Sequence, residues 1–193
     1  MFLESKAFFG SLSVALGLAN MGFYIFTIFR GQTRPHLFTW LIWTFTNAVI
    51  FFAQLTDAAG PGAWLTGVAA IVCAGITVLS VFRGEKNITR HDWLVLLVSL
   101  AALPLWYFMH NPLASVLLLT LIDAFGFLPT FRKSFTAPHS ESAGWTLSAA
   151  FSCVLAVLAL EKLSWITLTY PAAMVFLHAG LGVYILWRRR ALA

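Results

Sequence analysis

The second half of this chain repeats the first, and the repeated unit is built from apolar segments long enough to be membrane helices. A step of 105 positions carries Trp40 onto Trp145 and Asn47 onto Ser152. The same step carries Ala74 and Gly75 onto Ala179 and Gly180, Val78 onto Val183, Phe82 onto Trp187 and Arg83 onto Arg188. Upstream the step is 102, pairing Phe29 and Arg30 with Phe131 and Arg132, so the second copy carries about three extra loop residues. Each copy holds three apolar segments, and a single further one lies between them. Duplicated three-helix units in one membrane protein point to a transport pathway where the halves meet.

The chain has 193 residues, 60% hydrophobic and 10% charged. Ordinary soluble domains carry roughly 25% charged residues, and a soluble fold of this size has nowhere to put so much apolar surface. A hydrocarbon core needs about 17–25 residues per helix. Seven stretches qualify, near 7–29, 36–56, 61–82, 92–109, 112–131, 143–160 and 164–187. Turns between them gather Pro, Gly and charge, as in Gln32-Thr33-Arg34-Pro35, Ala59-Gly60-Pro61-Gly62, Gly84-Glu85-Lys86-Asn87 and Asn111-Pro112. The fold class read from this is all-α integral membrane, with a first triple-helix unit over 1–90, a linker helix over 91–110 and a second unit over 111–193. The first segment is too long for a cleaved signal, whose apolar region spans about 7–15 residues. It also belongs to the repeat. Cys73 and Cys153 fall inside apolar segments, where thiols serve as small core residues and not as a disulfide framework.

Charge speaks here about orientation. Arg30, Arg34, Arg83, Lys86, Arg90, Arg132, Lys133 and Arg188 to Arg190 fall on alternate loops that share one side, while Lys6 and Lys162 share the other. By the positive-inside rule the first side is cytoplasmic, with the N-terminus outside and the C-terminus inside. An even number of spans would scramble this segregation. The basic runs fix topology and touch anionic headgroups; nucleic acid is not an expected partner.

With seven spans, the first and fifth enter from the same side, so the two units are parallel repeats and the fourth helix, Trp93 to Met109 with Pro104 inside it, is the connector. This 3+1+3 plan resembles the SWEET sugar transporters, the PQ-loop proteins and the nicotinamide riboside transporter family, PnuC. Trp40-Leu41-Ile42-Trp43-Thr44-Phe45-Thr46-Asn47 resembles the WxxWxxxN segment of the vitamin-importing PnuC group. Phe127-Leu128-Pro129-Thr130-Phe131-Arg132-Lys133-Ser134, followed by Glu141-Ser142 and Trp145, resembles the proline–lysine–serine–tryptophan pattern of PQ-loop and SWEET repeats. Departures leave the subfamily open. No Gln follows Pro129, Thr27 stands where Pro129 has its counterpart, and Ser148 and Ser152 replace Trp43 and Asn47 in the second copy.

Asp123 is the one carboxylate well inside an apolar segment. An ionised carboxylate there costs at least about 2.5–3.5 kcal/mol on insertion scales, so it faces the bundle interior or a wet cavity. Burial disfavours the charged form, which makes Asp123 a candidate proton carrier; a protonated Asp bonded to a neighbouring helix is the plainer alternative. Trp40, Trp43 and Asn47, spaced i, i+3 and i+7, share one helical face. Two flat aromatic surfaces and an amide suit a ring-shaped solute, held by stacking and read at its polar edge. The PnuC resemblance implies a pocket role for Trp43 and Asn47. Against it stands the use of Trp as an interface anchor and of Asn as polar glue between helices. Ser148, Ser152 and Trp145 occupy the matching face of the sixth helix, as pathway lining or as packing.

Cys73 and His178 are repeat mates in the third and seventh helices, at a depth where the SWEET resemblance implies pocket asparagines. His178 either bonds solute, shares a proton with Asp123, or is a neutral imidazole satisfied by a carbonyl. Tyr170 and Pro171 in the seventh helix and Asn20 and Met21 in the first are further pore candidates, with Asn20 one place from the position matching Asp123. Gly126 and Pro129 are candidate hinges, since both relax the backbone hydrogen-bond ladder.

The expectation is a transporter that alternates access to a midplane site, taking a small ring-containing solute such as a vitamin, nucleoside or sugar. It runs downhill or is coupled to protons through Asp123. Its place is a lipid bilayer, the bacterial cytoplasmic membrane, with self-association open and no cofactor or metal implied. The alternative is a non-transporting seven-helix receptor on the same scaffold, because fold does not fix function. A retinal protein needs a Schiff-base Lys in the seventh helix, and the lysines, Lys6, Lys86, Lys133 and Lys162, all stand at or near loops instead. Enzymatic chemistry is not expected, for Asp123 and His178 alone are too few to define a reaction.

Overall fold

The computed structural model describes residues 2–31, 34–84, 90–101, 111–136 and 138–192. The chain is all-helical, with no strand among the described residues. Its α-helices are α1 (Phe2–Phe29), α2 (Leu37–Thr56), α3 (Trp64–Arg83), α4 (Arg90–Leu100), α5 (Pro112–Gly126), α6 (Leu128–Thr136), α7 (Ala143–Ala159) and α8 (Trp165–Ala191). A short 3-10 turn, Gly60–Ala63, runs straight into α3.

Helix starts follow local chemistry. Asn111 Oδ1 accepts the Ala114 N–H at 3.2 Å, and Pro112 takes the first helical position, where its missing N–H costs nothing. Ser142 Oγ accepts the Trp145 N–H at 3.2 Å to start α7. Ser164 and Thr167 form a reciprocal capping box that starts α8, with side-chain-to-backbone distances of 3.2 and 3.0 Å. Pro171 sits inside α8 without ending it.

Among the described residues, five helical stretches are long and apolar enough to cross a membrane: Glu4–Phe29, Leu37–Thr56, Gly60–Arg83, Pro112–Thr136 and Trp165–Ala191. α7 is shorter, at 17 residues, and apolar throughout. Of the connector, Arg90–Leu100 is described, while its second half with Pro104 lies outside the described residues, as do Gln32, Thr33 and Glu85 to Asn87 of the turns. The fifth segment differs from the single span over 112–131. It breaks at Phe127, immediately after Gly126, and resumes as α6, which runs five residues past the expected end, to Thr136. Phe127 N–H turns back to the Ala124 carbonyl at 3.1 Å, the tighter spacing of a helix end.

Six helices close into a ring. α3 packs between α1 and α2, and α8 packs between α7 and α5. α1 meets α7 and α2 meets α5, while α4 lies outside the ring against α2 and α5. Where α2, α5 and α8 meet, Val49, Ile50 and Ala53 pack on Val116, Leu119, Tyr170 and Met174. Beside this apolar core the bundle buries polar groups and leaves large apolar side chains on its outside. Phe8, Phe23, Ile71, Phe82, Phe125, Phe176 and Val183 are exposed on the outside, whereas Thr46, Asn47, Gln54, Thr66, Asp123 and Ser152 are buried. Such a continuous apolar exterior is untenable in water and natural against lipid.

Buried hydroxyls tie helices together. Ser13 Oγ donates to the Ser152 carbonyl at 2.7 Å, joining α1 to α7, and Thr44 and Thr77 hydroxyls meet at 3.2 Å between α2 and α3. Gln54 donates to the Thr167 carbonyl at 3.1 Å, joining α2 to α8. At one end of the bundle Lys162 pairs with Asp57. From that end α1, α3 and α8 run towards Arg30, Arg83 and Arg188 to Arg190.

Candidate functional site

A cavity of about 290 Å³ lies inside the ring and draws residues from α1, α2, α3, α5, α6, α7 and α8. Its aromatic walls are Trp43, Trp145, Phe127 and Tyr170. Its polar groups include Asn20, Asn47, Thr66, Asp123, Thr130, Ser152 and His178, and it reaches Glu141 in the turn before α7. Two carboxylates and no Lys or Arg appear among the described residues that line it. An anion entering this space would meet like charge in a low-dielectric setting.

Three side chains meet at its centre. Tyr170 O–H donates to Asp123 Oδ2 at 3.0 Å, and Asn47 Oδ1 lies 3.4 Å from the same hydroxyl. Asn47 Nδ2 donates to the Trp43 carbonyl at 2.8 Å, one helical turn back, which fixes the amide so that its oxygen faces Tyr170. Asp123 Oδ1 is buried and has no hydrogen-bond partner. The other orphaned atom in the cavity wall is His178 Nδ1. The imidazole stands edge-on to Phe127 and Trp145, with ring centroids 4.9 and 5.8 Å away. No hydrogen bond joins His178 to Asp123 or to a backbone carbonyl through Nδ1, so neither the shared proton nor a carbonyl-satisfied Nδ1 describes its surroundings.

The structure separates the residues named from sequence into two groups. Trp43, Asn47, Asn20, Cys73, Asp123, Gly126, Trp145, Ser152 and His178 all line the cavity, as do Met21, Tyr170 and Pro171. Trp40 and Ser148 do not. Trp40 is buried one turn nearer the arginine-bearing end, where α1 and α3 close over the face that it shares with Trp43 and Asn47. There it packs on Ile28, Cys73 and Ile76 and meets the Tyr24 and Trp43 rings at 4.9 and 5.0 Å. It is wall, not lining. On α7 the lining stripe runs Trp145, Ala149, Ser152 and Ala156 at helical spacing, and Ser148 falls beside it. Pro129 lies in the first turn of α6, two residues after the break at Phe127.

Sequence reasoning passed over Thr66, Thr130 and Phe127 as lining, and took Tyr170 only as a loose pore candidate. Nothing local marks a Thr in an apolar helix as inward-facing, because the rotation of each helix is set by its neighbours. The Tyr170 contacts span 123 positions to Asn47 and 47 to Asp123. Both cysteines are free thiols; Cys73 is buried and Cys153 partly so.

No protein-family model, no curated protein and no solved structure matches the chain.

Proposed function

We propose that this chain is a membrane transporter for a small, ring-containing solute, neutral or cationic, bound in the cavity around Asn47 and Asp123. The observation that carries this reading is a cavity walled by helices from both halves, with two buried polar atoms, Asp123 Oδ1 and His178 Nδ1, left without partners. An orphaned buried polar atom costs about 1–3 kcal/mol, and a solute that bonded to both would recover that cost. Two tryptophans in the lining, Trp43 from α2 and Trp145 from α7, suit a flat ring. The acidic lining disfavours anions.

In this reading the chain crosses the membrane seven times. The unit over 1–90 and the unit over 111–193 are parallel repeats joined by the helix over 91–110, with the N-terminus outside and the basic C-terminus in the cytoplasm of a bacterial inner membrane. The neighbour pattern supports it: α3 sits between α1 and α2 as α8 sits between α5 and α7, and the cross-contacts α1 with α7 and α2 with α5 exchange under the repeat. Access alternates as one trio rocks against the other, with the break after Gly126 as a flexing point.

The test is uptake into proteoliposomes. A thermal-shift screen of vitamins, nucleosides, sugars and amino acids selects a stabilising solute, and its labelled form is then followed with and without a pH gradient. Time-dependent accumulation in the lumen is expected. Binding without flux would leave the receptor alternative instead, and no binding at all would refute a solute site.

A further inference from the structure

We infer that Tyr170 is a positioning residue that makes solute recognition by Asn47 depend on whether Asp123 carries a proton. The inference rests on reading the cavity as a solute site and adds to it the means by which protons act there.

A phenol has one hydrogen to donate, and the Tyr170 hydroxyl has two acceptors within reach. Asp123 Oδ2 stands at 3.0 Å and Asn47 Oδ1 at 3.4 Å. The acceptors come from α5 and α2, and the hydroxyl from α8, so the three groups join the two halves of the bundle. Tyr170 is buried, so its single phenolic hydrogen is shared between these two acceptors. With Asp123 ionised, the carboxylate is the stronger acceptor and takes the hydrogen, because charge-assisted hydrogen bonds are roughly twice as strong as neutral ones. Asn47 Oδ1 is then open to an N–H or O–H of a solute. When Asp123 Oδ2 takes a proton delivered as hydronium, which leaves as neutral water, the new carboxyl O–H donates to Tyr170 Oη. Tyr170 keeps its own hydrogen, which turns to Asn47 Oδ1. No bond to the phenol oxygen breaks and no group other than Asp123 changes charge. Asn47 Nδ2 is already committed to the Trp43 carbonyl at 2.8 Å, so the amide cannot rotate away without losing that bond. Proton and solute therefore oppose each other at Asn47.

The other titratable groups around the cavity do not substitute for this contact. His178 comes from α8, Cys73 from α3, Cys153 from α7 and Glu141 from the turn before α7. None is hydrogen-bonded to the Tyr170 hydroxyl or to Asp123. α1 and α2 contribute neutral amides, Asn20 and Asn47, and no described Lys or Arg lines the space.

The test uses protons alone, on the full chain in lipid nanodiscs, read by acid-minus-base infrared difference spectra. Acidification should produce a protonated-carboxyl band together with a downshift of one asparagine side-chain carbonyl band, because that carbonyl gains a hydrogen bond. Asp123→Asn should remove one component of the carboxyl band and the whole amide shift, and Asn47→Ala the amide shift alone. Tyr170→Phe should keep the carboxyl band and silence the amide band. Ring-labelled tyrosine in the unsubstituted chain, whose C–O band should shift on acidification, guards against misfolded variants. A carboxyl band that survives Asp123→Asn unchanged would overturn the inference. So would an amide band that stays still in the unsubstituted chain, or one that still moves in Tyr170→Phe. No solute is present, so the relay can fail in a working transporter and can hold in a chain that transports nothing.

Discussion

Lys162 donates to the Asp57 carboxylate, and the two residues stand 105 positions apart, the same step that relates the two halves of the sequence. The turn after α2 and the turn after α7 are therefore joined by the very residues that correspond in the repeat. Ser164 Oγ donates to the other carboxylate oxygen, and Glu161 N–H donates to the Ala59 carbonyl at 3.1 Å. Gly60 makes this close approach possible: its φ of 60° is left-handed, and a Cβ there would strike the Glu161 side chain. The two halves are thus fastened at the end of the bundle opposite the arginines.

This fastening has a defined pH dependence. Lys162, and then Ser164, hold the Asp57 carboxyl below its usual value. A depressed carboxyl contributes stability above its unfolded pKa, about 3.9, and loses it as pH falls through the lower folded value. Asp57→Asn should lower the thermal midpoint at neutral pH by no more than about 4 °C, since exposed ion pairs contribute about 0–1 kcal/mol. The gap between variant and parent should close as pH falls through that lower folded value. A gap that persists in acid would mean that the ion pair is not its source. Exchanging the two charges, Asp57→Lys with Lys162→Asp, should recover part of the loss.

Removing the central polar groups should weaken solute capture without unfolding the bundle. For Asn47→Ala and Asp123→Asn, losses of about 10–100-fold in affinity are expected, the range for hydrogen bonds of about 1.5–3 kcal/mol to charged or buried partners. Isothermal titration with the solute selected by thermal shift measures this. Unchanged affinity in both variants would place the solute elsewhere.

Trp43 and Trp40 should separate binding from stability. Trp43→Ala removes a cavity wall and should cut solute affinity more than it lowers the melting temperature. Trp40→Ala empties a packed site between α1, α2 and α3 and should cost about 3–5 kcal/mol of stability. Equal effects of the two on binding would contradict the placement of Trp40 outside the lining.

Glycines sort in the same way. A Cβ at Gly10 would lie 2.8 Å from Pro61 Cβ and 2.9 Å from its carbonyl, and one at Gly62 would lie 2.8 Å from Leu160 Cα. Neither neighbour can swing aside, so Gly10→Ala and Gly62→Ala should each destabilise by about 1–3 kcal/mol. The repeat mates Gly75 and Gly180 have nothing within 4 Å of such a Cβ. There Ala should be neutral or stabilising by up to about 1 kcal/mol, because mid-helix Gly is entropically costly. Thermal melts of the four variants in one detergent check the ordering.

Some of this was legible in the chain alone, and some was not. Helical class and the rough placing of the apolar segments followed from quantities local in sequence: the length of an apolar run against the thickness of a bilayer, and turn residues such as Asn111-Pro112 between runs. The inward placement of Asp123 followed from the cost of a carboxylate in hydrocarbon. Spacing put Trp40, Trp43 and Asn47 on one face, but only the packing of α1 and α3 over its lower end decided that Trp40 is wall while the other two are lining. The break after Gly126, the exclusion of Ser148 and the meeting of Tyr170 with Asn47 and Asp123 likewise belong to the tertiary structure. Helix rotation and tilt are fixed by neighbours far away in the chain, and periodicity within one helix carries no record of them.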